Sequence, residues 1–177
     1  MIYLEIGCFE AQSLVWMMQR VLTHSRSRAV SVDPFLQTSK LDESEMNATM
    51  EKARHNISPY SDRACIIRGN SDEVLHRMLK RGGYAGIARD SVDLCLIDGN
   101  HYSLPVLSDA RLCYQLTKPG GWLLFDDYFN DIDKGIDHVK TGVELWRAEM
   151  KVAESQGRGA VKEVWRSKYM VCFEKVS

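Results

Sequence analysis

The stretch Val92–Tyr128, VDLCLIDGNHYSLPVLSDARLCYQLTKPGGWLLFDDY, decides the fold. Val92 to Ile97 is a short apolar run that stops at Asp98-Gly99. Leu107 to Leu116 continues a helical pattern that stops before Lys118-Pro119-Gly120-Gly121. Trp122 to Phe125 is a second apolar run, ending at Asp126-Asp127. Strand, helix, strand at this spacing is a βαβ unit, which implies a parallel pair. Runs as apolar as LCLI and WLLF fit a sheet covered on both faces.

The same alternation extends outward in both directions. Ile2 to Ile6 reads as a strand, followed by a helix over Ala11 to Leu22. Ala29 to Val32 is the next strand, then a helix over Glu43 to Asn56. Ala64 to Arg68 is a third strand, with Ser71 as the expected N-cap of a helix carrying Val74, Leu75, Met78 and Leu79 at helical spacing. After the quoted stretch, a long helix fits Ile132 to Ser155, and AVKEVW and YMVCFEKV form a terminal antiparallel hairpin. The expected architecture is α/β, a doubly wound Rossmann-like sheet with helices on both faces, in one domain over residues 1–177.

Composition narrows the function classes. The net charge of -1 and sequence pI near 6.5 argue against broad electrostatic binding to nucleic acid. No basic leader precedes the first apolar run and no run is long enough to span a bilayer, so neither a membrane partner nor a signal peptide is expected. Five cysteines with no CxxC pair suggest a reducing, cytoplasmic setting, with buried thiols in the strand-like runs.

Polar residues or glycine follow every one of the first five strands. In doubly wound sheets, ligands bind at the carboxyl ends of the strands. Gly7 lets a backbone or ligand approach closely. Glu5, inside an apolar strand, needs a partner. Asp33 can accept from both ribose hydroxyls of a nucleoside. Asn70 and Ser71 can meet an adenine edge, although Ser71 also suits a plain helix cap. Asp98-Gly99-Asn100-His101 places an acid and a histidine in one loop. If the strands before Asp98 and before Asp126-Asp127 are neighbours, three carboxylates converge, and such like charges need a cation or protons. His101 suits a general base.

Together these residues resemble the class I S-adenosylmethionine-dependent methyltransferases. YLEIGCFEAQSLVWM is similar to the first motif of that family, SVDPF to its acidic ribose-binding motif, and the stretch from Ile97 to Tyr128 to a subgroup with I-D-G-x-H, K-P-G-G and D-D-Y. The resemblance implies a seven-stranded sheet of order 3-2-1-4-5-7-6 with the seventh strand antiparallel. It implies that Glu5, Gly7, Cys8, Phe9 and Ser13 border the methionine part of the cofactor. Asp33 would hold the ribose, Asn70 and Ser71 would lie near the adenine, and Asp98 beside the reaction centre. From the catechol-type relatives it implies Mg²⁺ at Asp98, Asp126 and Asp127, the last standing where Asn is usual. Ala11 stands where the family has a second glycine.

The expected function is methyl transfer to a small-molecule acceptor through a hydroxyl oxygen, with His101 as base and Asp98 beside it; homo-oligomerisation is left open. A non-catalytic binding module with the same fold is the alternative. A nicotinamide-dependent oxidoreductase is a weaker one, because GCFEAQ lacks the G-x-G-x-x-G that brings a backbone to a pyrophosphate.

Overall fold

The structure is a computed structural model in which residues 1–36, 42–129 and 138–176 are described. Seven strands form one sheet: β1 (Ile2–Ile6), β2 (Arg28–Asp33), β3 (Ala64–Arg68), β4 (Val92–Ile97), β5 (Thr117–Phe125), β6 (Val161–Arg166) and β7 (Val171–Lys175). Their order is β3-β2-β1-β4-β5-β7-β6. The first five run parallel, and β7 is antiparallel to both β5 and β6. This is the order the resemblance implies.

The apolar runs became strands because both sides of them are covered. Leu4, Ile6, Val30, Val32, Cys95, Ile97, Leu123 and Phe125 pack with helices α3 (Ser71–Leu79), α4 (Ser103–Leu116) and α5 (Val139–Ser155). Tyr3, Ala29, Ala64 and Leu96 face the other way, toward α1 (Gln12–Arg20) and α2 (Glu43–Ile57). Asp42 caps α2 with a reciprocal pair: its carboxylate accepts from the Glu45 N–H and the Glu45 side chain accepts from its own N–H.

Four sequence expectations shift. The helix expected from Ala11 begins at Gln12, because Ala11 is its N-cap in a left-handed conformation, φ 60°. Strand β5 begins at Thr117, not Trp122: Thr117 pairs with Val92 and Trp122 with Leu94, so Lys118 to Gly121 bulge out of a continuous strand. Asn70, not Ser71, is the N-cap of α3, and Ser71 is its first helical residue. Cys65 is exposed, because β3 is an edge strand, whereas Cys8, Cys95, Cys113 and Cys172 are buried; all five thiols are free. The last helix is described from Val139, and the expected part from 132 to 137 lies outside the described residues.

Candidate functional site

The five parallel strands end along one edge, and backbone hydrogen bonds carry the ladder just past those ends. Gly7 N–H donates to the Val32 carbonyl at 2.9 Å, Asp98 N–H to Ile6 at 2.9 Å, Gly69 N–H to Asp33 at 3.0 Å and Asp126 N–H to Ile97 at 3.1 Å. The polar residues that follow each strand are therefore aligned in space as the sequence implied.

Asp33 is 9% exposed and its carboxylate is already engaged. One oxygen accepts the N–H groups of Cys8 at 2.9 Å and Phe9 at 3.0 Å. The other accepts the Phe35 N–H at 2.7 Å. A carboxylate offers about four acceptor positions, so among the described residues roughly one is left for a ligand, fewer than two ribose hydroxyls need. The same bonds shape the loop after β1, where Phe9 has φ 47° and an exposed ring.

Glu5 is fully buried beneath the start of α1. Its Oε1 accepts from the Tyr3 hydroxyl at 3.1 Å and the Ser13 hydroxyl at 2.5 Å. Among the described residues, its Oε2 and the hydroxyl of Ser31 opposite it in register have no partner meeting hydrogen-bond geometry. Burial raises the carboxyl above its usual range, while the hydroxyls around it work the other way. The partners of Glu5 are thus hydroxyls, not a basic side chain, and Ser13 is held by Glu5. Burial, then the charge of Asp33, pushes the Cys8 thiol up to about 12, so it stays protonated and inert.

At the adenine end, Asn70 is exposed and makes no capping bond with its side chain. Ser71 lies against Asp109, a buried carboxyl of α4 that burial pushes up to about 6 against the pull of the Ser71 hydroxyl.

The ends of β4 and β5 bring Asp98, His101 and Asp127 together: one ligand atom from each lies within 4.8 Å of the others. The Nε2 of His101 is 3.3 Å from Asp127 Oδ2. Burial, then the charges of Asp126, Asp127 and Glu5, pushes the Asp98 carboxyl up to about 7. The expected trio of carboxylates is changed in one member. Asp126 turns an oxygen back onto the Asp127 N–H at 2.8 Å, and His101 takes its place in the cluster. The turn that does this is left-handed, with φ 52° at Asp127.

Residues that the sequence reading did not assign also shape this edge. Tyr128 is fully buried with its hydroxyl donated to Glu144, and Phe129 is partly exposed beside it. A cavity of about 450 Å³ opens at the start of α5, lined by His138, Lys140, Thr141, Glu144 and Leu145 but not by the acid cluster. The DDY run was the available signal for Tyr128; nothing local marked Glu144, which is brought in by the fold.

A family model described as "Methyltransferase domain" matches residues 4–128. The chain belongs to that methyltransferase family. An uncharacterized protein, R132, of Acanthamoeba polyphaga mimivirus is 31% identical over 126 residues, covering 71% of this chain; the chain spans about half, 51%, of that relative's length. Among solved structures, the O-methyltransferase TomG from Streptomyces achromogenes, in complex with SAM, has a TM-score of 0.66 at 15% identity, over 99% of this chain and 73% of its own. The O-methyltransferase from Bacillus cereus, in complex with SAH, has a TM-score of 0.66 at 17% identity, over 99% and 74%. The MycE methyltransferase of the mycinamycin pathway, in complex with Mg and SAH, has a TM-score of 0.64 at 16% identity, over 99% and 45%. At these identities the neighbours share the fold of this methyltransferase-family chain. Among the described residues, no helix is long and apolar enough to cross a membrane.

Proposed function

We propose that the protein transfers a methyl group from S-adenosylmethionine to a hydroxyl oxygen of a small-molecule acceptor. The observation that carries this reading is the cluster of Asp98, His101 and Asp127 on the same strand edge as Asp33 and Asn70. Family membership and the SAM- and SAH-bound neighbours support it.

The residues present fit the cofactor. Asp33 keeps one acceptor position for the ribose, the Asn70 amide is free of capping duty, and the loop Gly7 to Phe9 lies between Asp33 and Asp98. The bound cofactor supplies an electrophilic methyl on sulfur. The chain's own work is then to hold the acceptor oxygen in line and take its proton. Asp127 Oδ2 lies 3.3 Å from His101 Nε2, so a proton held on that nitrogen leaves Nδ1 as the acceptor. The cofactor would supply the methyl and leave as its thioether, while His101 Nδ1 would take the acceptor's proton. Asp127 stabilises the imidazolium that results.

A second reading uses the same three residues as a divalent-metal site. Two carboxylates within reach of each other, one of them with a strongly raised pKa, are a pair that a cation would relieve. The imidazole nitrogen makes Mn²⁺ at least as suitable as the Mg²⁺ expected from the resemblance. A metal there would lower the pKa of the acceptor hydroxyl, and His101 would be its ligand and not the base.

Titration calorimetry with S-adenosylhomocysteine tests the cofactor, with binding expected in the micromolar range or tighter. No heat would remove the cofactor and with it the reaction. Methyl transfer screened over hydroxylated metabolites, sugars and natural-product intermediates then separates the remaining readings. Turnover that survives chelation and is lost in His101→Ala supports the base. Turnover lost on chelation supports the metal. Binding without any turnover supports a non-catalytic module.

A further inference from the structure

Tyr128 follows the two acids directly and is fully buried. Its hydroxyl donates to Oε1 of Glu144 on α5, and its N–H donates to the Tyr169 carbonyl at 2.7 Å. Its ring meets Phe129 edge-on, with centroids 4.7 Å apart, and the Arg166 guanidinium lies 4.9 Å above it. Glu144 is itself gripped: Arg147 donates to both its oxygens, at 2.8 and 3.0 Å. Arg147 also approaches Glu163 at 3.4 Å, and Glu163 accepts from Arg166 at 2.8 and 2.7 Å. Tyr128 thus sits at the centre of a net that joins α5 to β6.

One residue earlier, Asp127 holds a left-handed backbone, φ 52°. Outside glycine that conformation persists where its surroundings over-determine it, and it clusters at functional sites. With that backbone, the Asp127 carboxylate lies 3.3 Å from His101, while one oxygen of Asp126 accepts the Asp127 N–H.

We propose that Tyr128 is a positioning residue: anchored to Glu144 by its hydroxyl, it holds Asp127 in the left-handed conformation that joins the Asp127 carboxylate to His101. The chemical use of that pair rests on the proposed methyl transfer, but the geometric claim does not. The local alternative is that Asp127 keeps its conformation through the Asp126 carboxylate alone, which accepts its N–H.

The test uses Tyr128→Phe, Glu144→Ala and Glu144→Gln, the last of which keeps an acceptor for the hydroxyl. Crystal structures of the first two should show Asp127 out of the left-handed region and its carboxylate beyond about 4 Å from His101, the limit of an ion pair. With Mn²⁺ alone as the probe, followed by the loss of its free paramagnetic signal, both variants should bind at least about tenfold more weakly, the usual cost of losing a group that orients a ligand. Glu144→Gln should stay within about twofold of wild type, and Tyr128→Phe should cost nothing further on an Asp127→Ala background, because coupled residues are non-additive. The proposal is overturned if folded Tyr128→Phe keeps Asp127 against His101, or if Glu144→Gln is as impaired as Glu144→Ala. Should Tyr128→Phe not fold, the two Glu144 variants decide. Should wild type bind no Mn²⁺, the metal reading falls and the crystal structures decide the positioning.

Discussion

A Cβ placed on Gly7 would lie 2.1 Å from the carbonyl oxygen of Asp98. The loop after β1 and the loop after β4 are in backbone contact at that point, and Gly7 has φ +83°. The first glycine of the motif is therefore demanded by the protein's own packing, before any ligand is considered. Gly7→Ala is expected to cost about 3 kcal/mol or more, from overpacking against a carbonyl that cannot move freely plus a left-handed alanine. Urea unfolding checks it; a loss under about 1 kcal/mol, the scale of an ordinary mild substitution, would mean that the Asp98 loop gives way.

The acids of the site set a pH dependence. The Asp98 carboxyl is pushed up to about 7 and Asp109 to about 6, in both cases chiefly by burial, and Glu5 is raised as well. In the unfolded chain each titrates near pH 4. Between those values the folded state binds more protons than the unfolded one, so these groups make stability fall as pH rises from about 4 to about 7. Denaturant midpoints across that range should show the decline, and Asp98→Asn should make it shallower. A divalent cation at the cluster would recover stability at the upper end by binding only the folded form.

Lys175 is the counterweight at the opposite edge of the sheet. Its ammonium is nearly buried and donates to Asp90 at 2.6 Å and to the carbonyls of Thr117 at 2.8 Å and Tyr114 at 3.1 Å. Asp90 is partly exposed, which discounts the ion pair, but the Thr117 carbonyl lies in a buried setting. Lys175→Met keeps the volume and strands those acceptors, for an expected loss of about 2–3 kcal/mol. In a chain of this length that lowers the thermal midpoint by roughly 5–10 °C.

Ala11 stands where a glycine is usual and is fully buried with φ 60°. A left-handed alanine costs about 1–2 kcal/mol. Glycine would relieve that but lose about 0.8 kcal/mol of methyl burial and about 0.4–1 kcal/mol of chain entropy. Ala11→Gly is thus expected to change stability by less than about 1 kcal/mol, with cofactor affinity altered less than about fivefold, the equivalent of such an energy. A tenfold gain in affinity for S-adenosylhomocysteine by calorimetry would show that the alanine distorts the loop.

What could be read from the sequence was whatever depends on burial and spacing. Strands such as Val92–Ile97 are apolar on both sides because helices cover both faces, so they stood out at once. The acids at the strand ends were found for the same reason. What escaped were conformations that residue type does not announce. Nothing in Thr117-Lys-Pro-Gly-Gly shows that the strand continues through a bulge. Nothing in Asp126-Asp127 tells which carboxylate faces His101, because one backbone angle decides it, and the groups around that angle come from α5 and the hairpin. Tyr128 was visible as a letter, but its partner Glu144 is distant in sequence.

The cradle of amides around Asp33 has a consequence for how any binding experiment is interpreted. Two of its three bonds come from the loop after β1, so the carboxylate is a strut for that loop as much as a docking point. Replacing Asp33 removes both at once, and weakened binding would follow even if no ribose ever touched it. Altering the ligand separates the two: a cofactor analogue without the 2′-hydroxyl leaves the strut standing and removes only the contact in question.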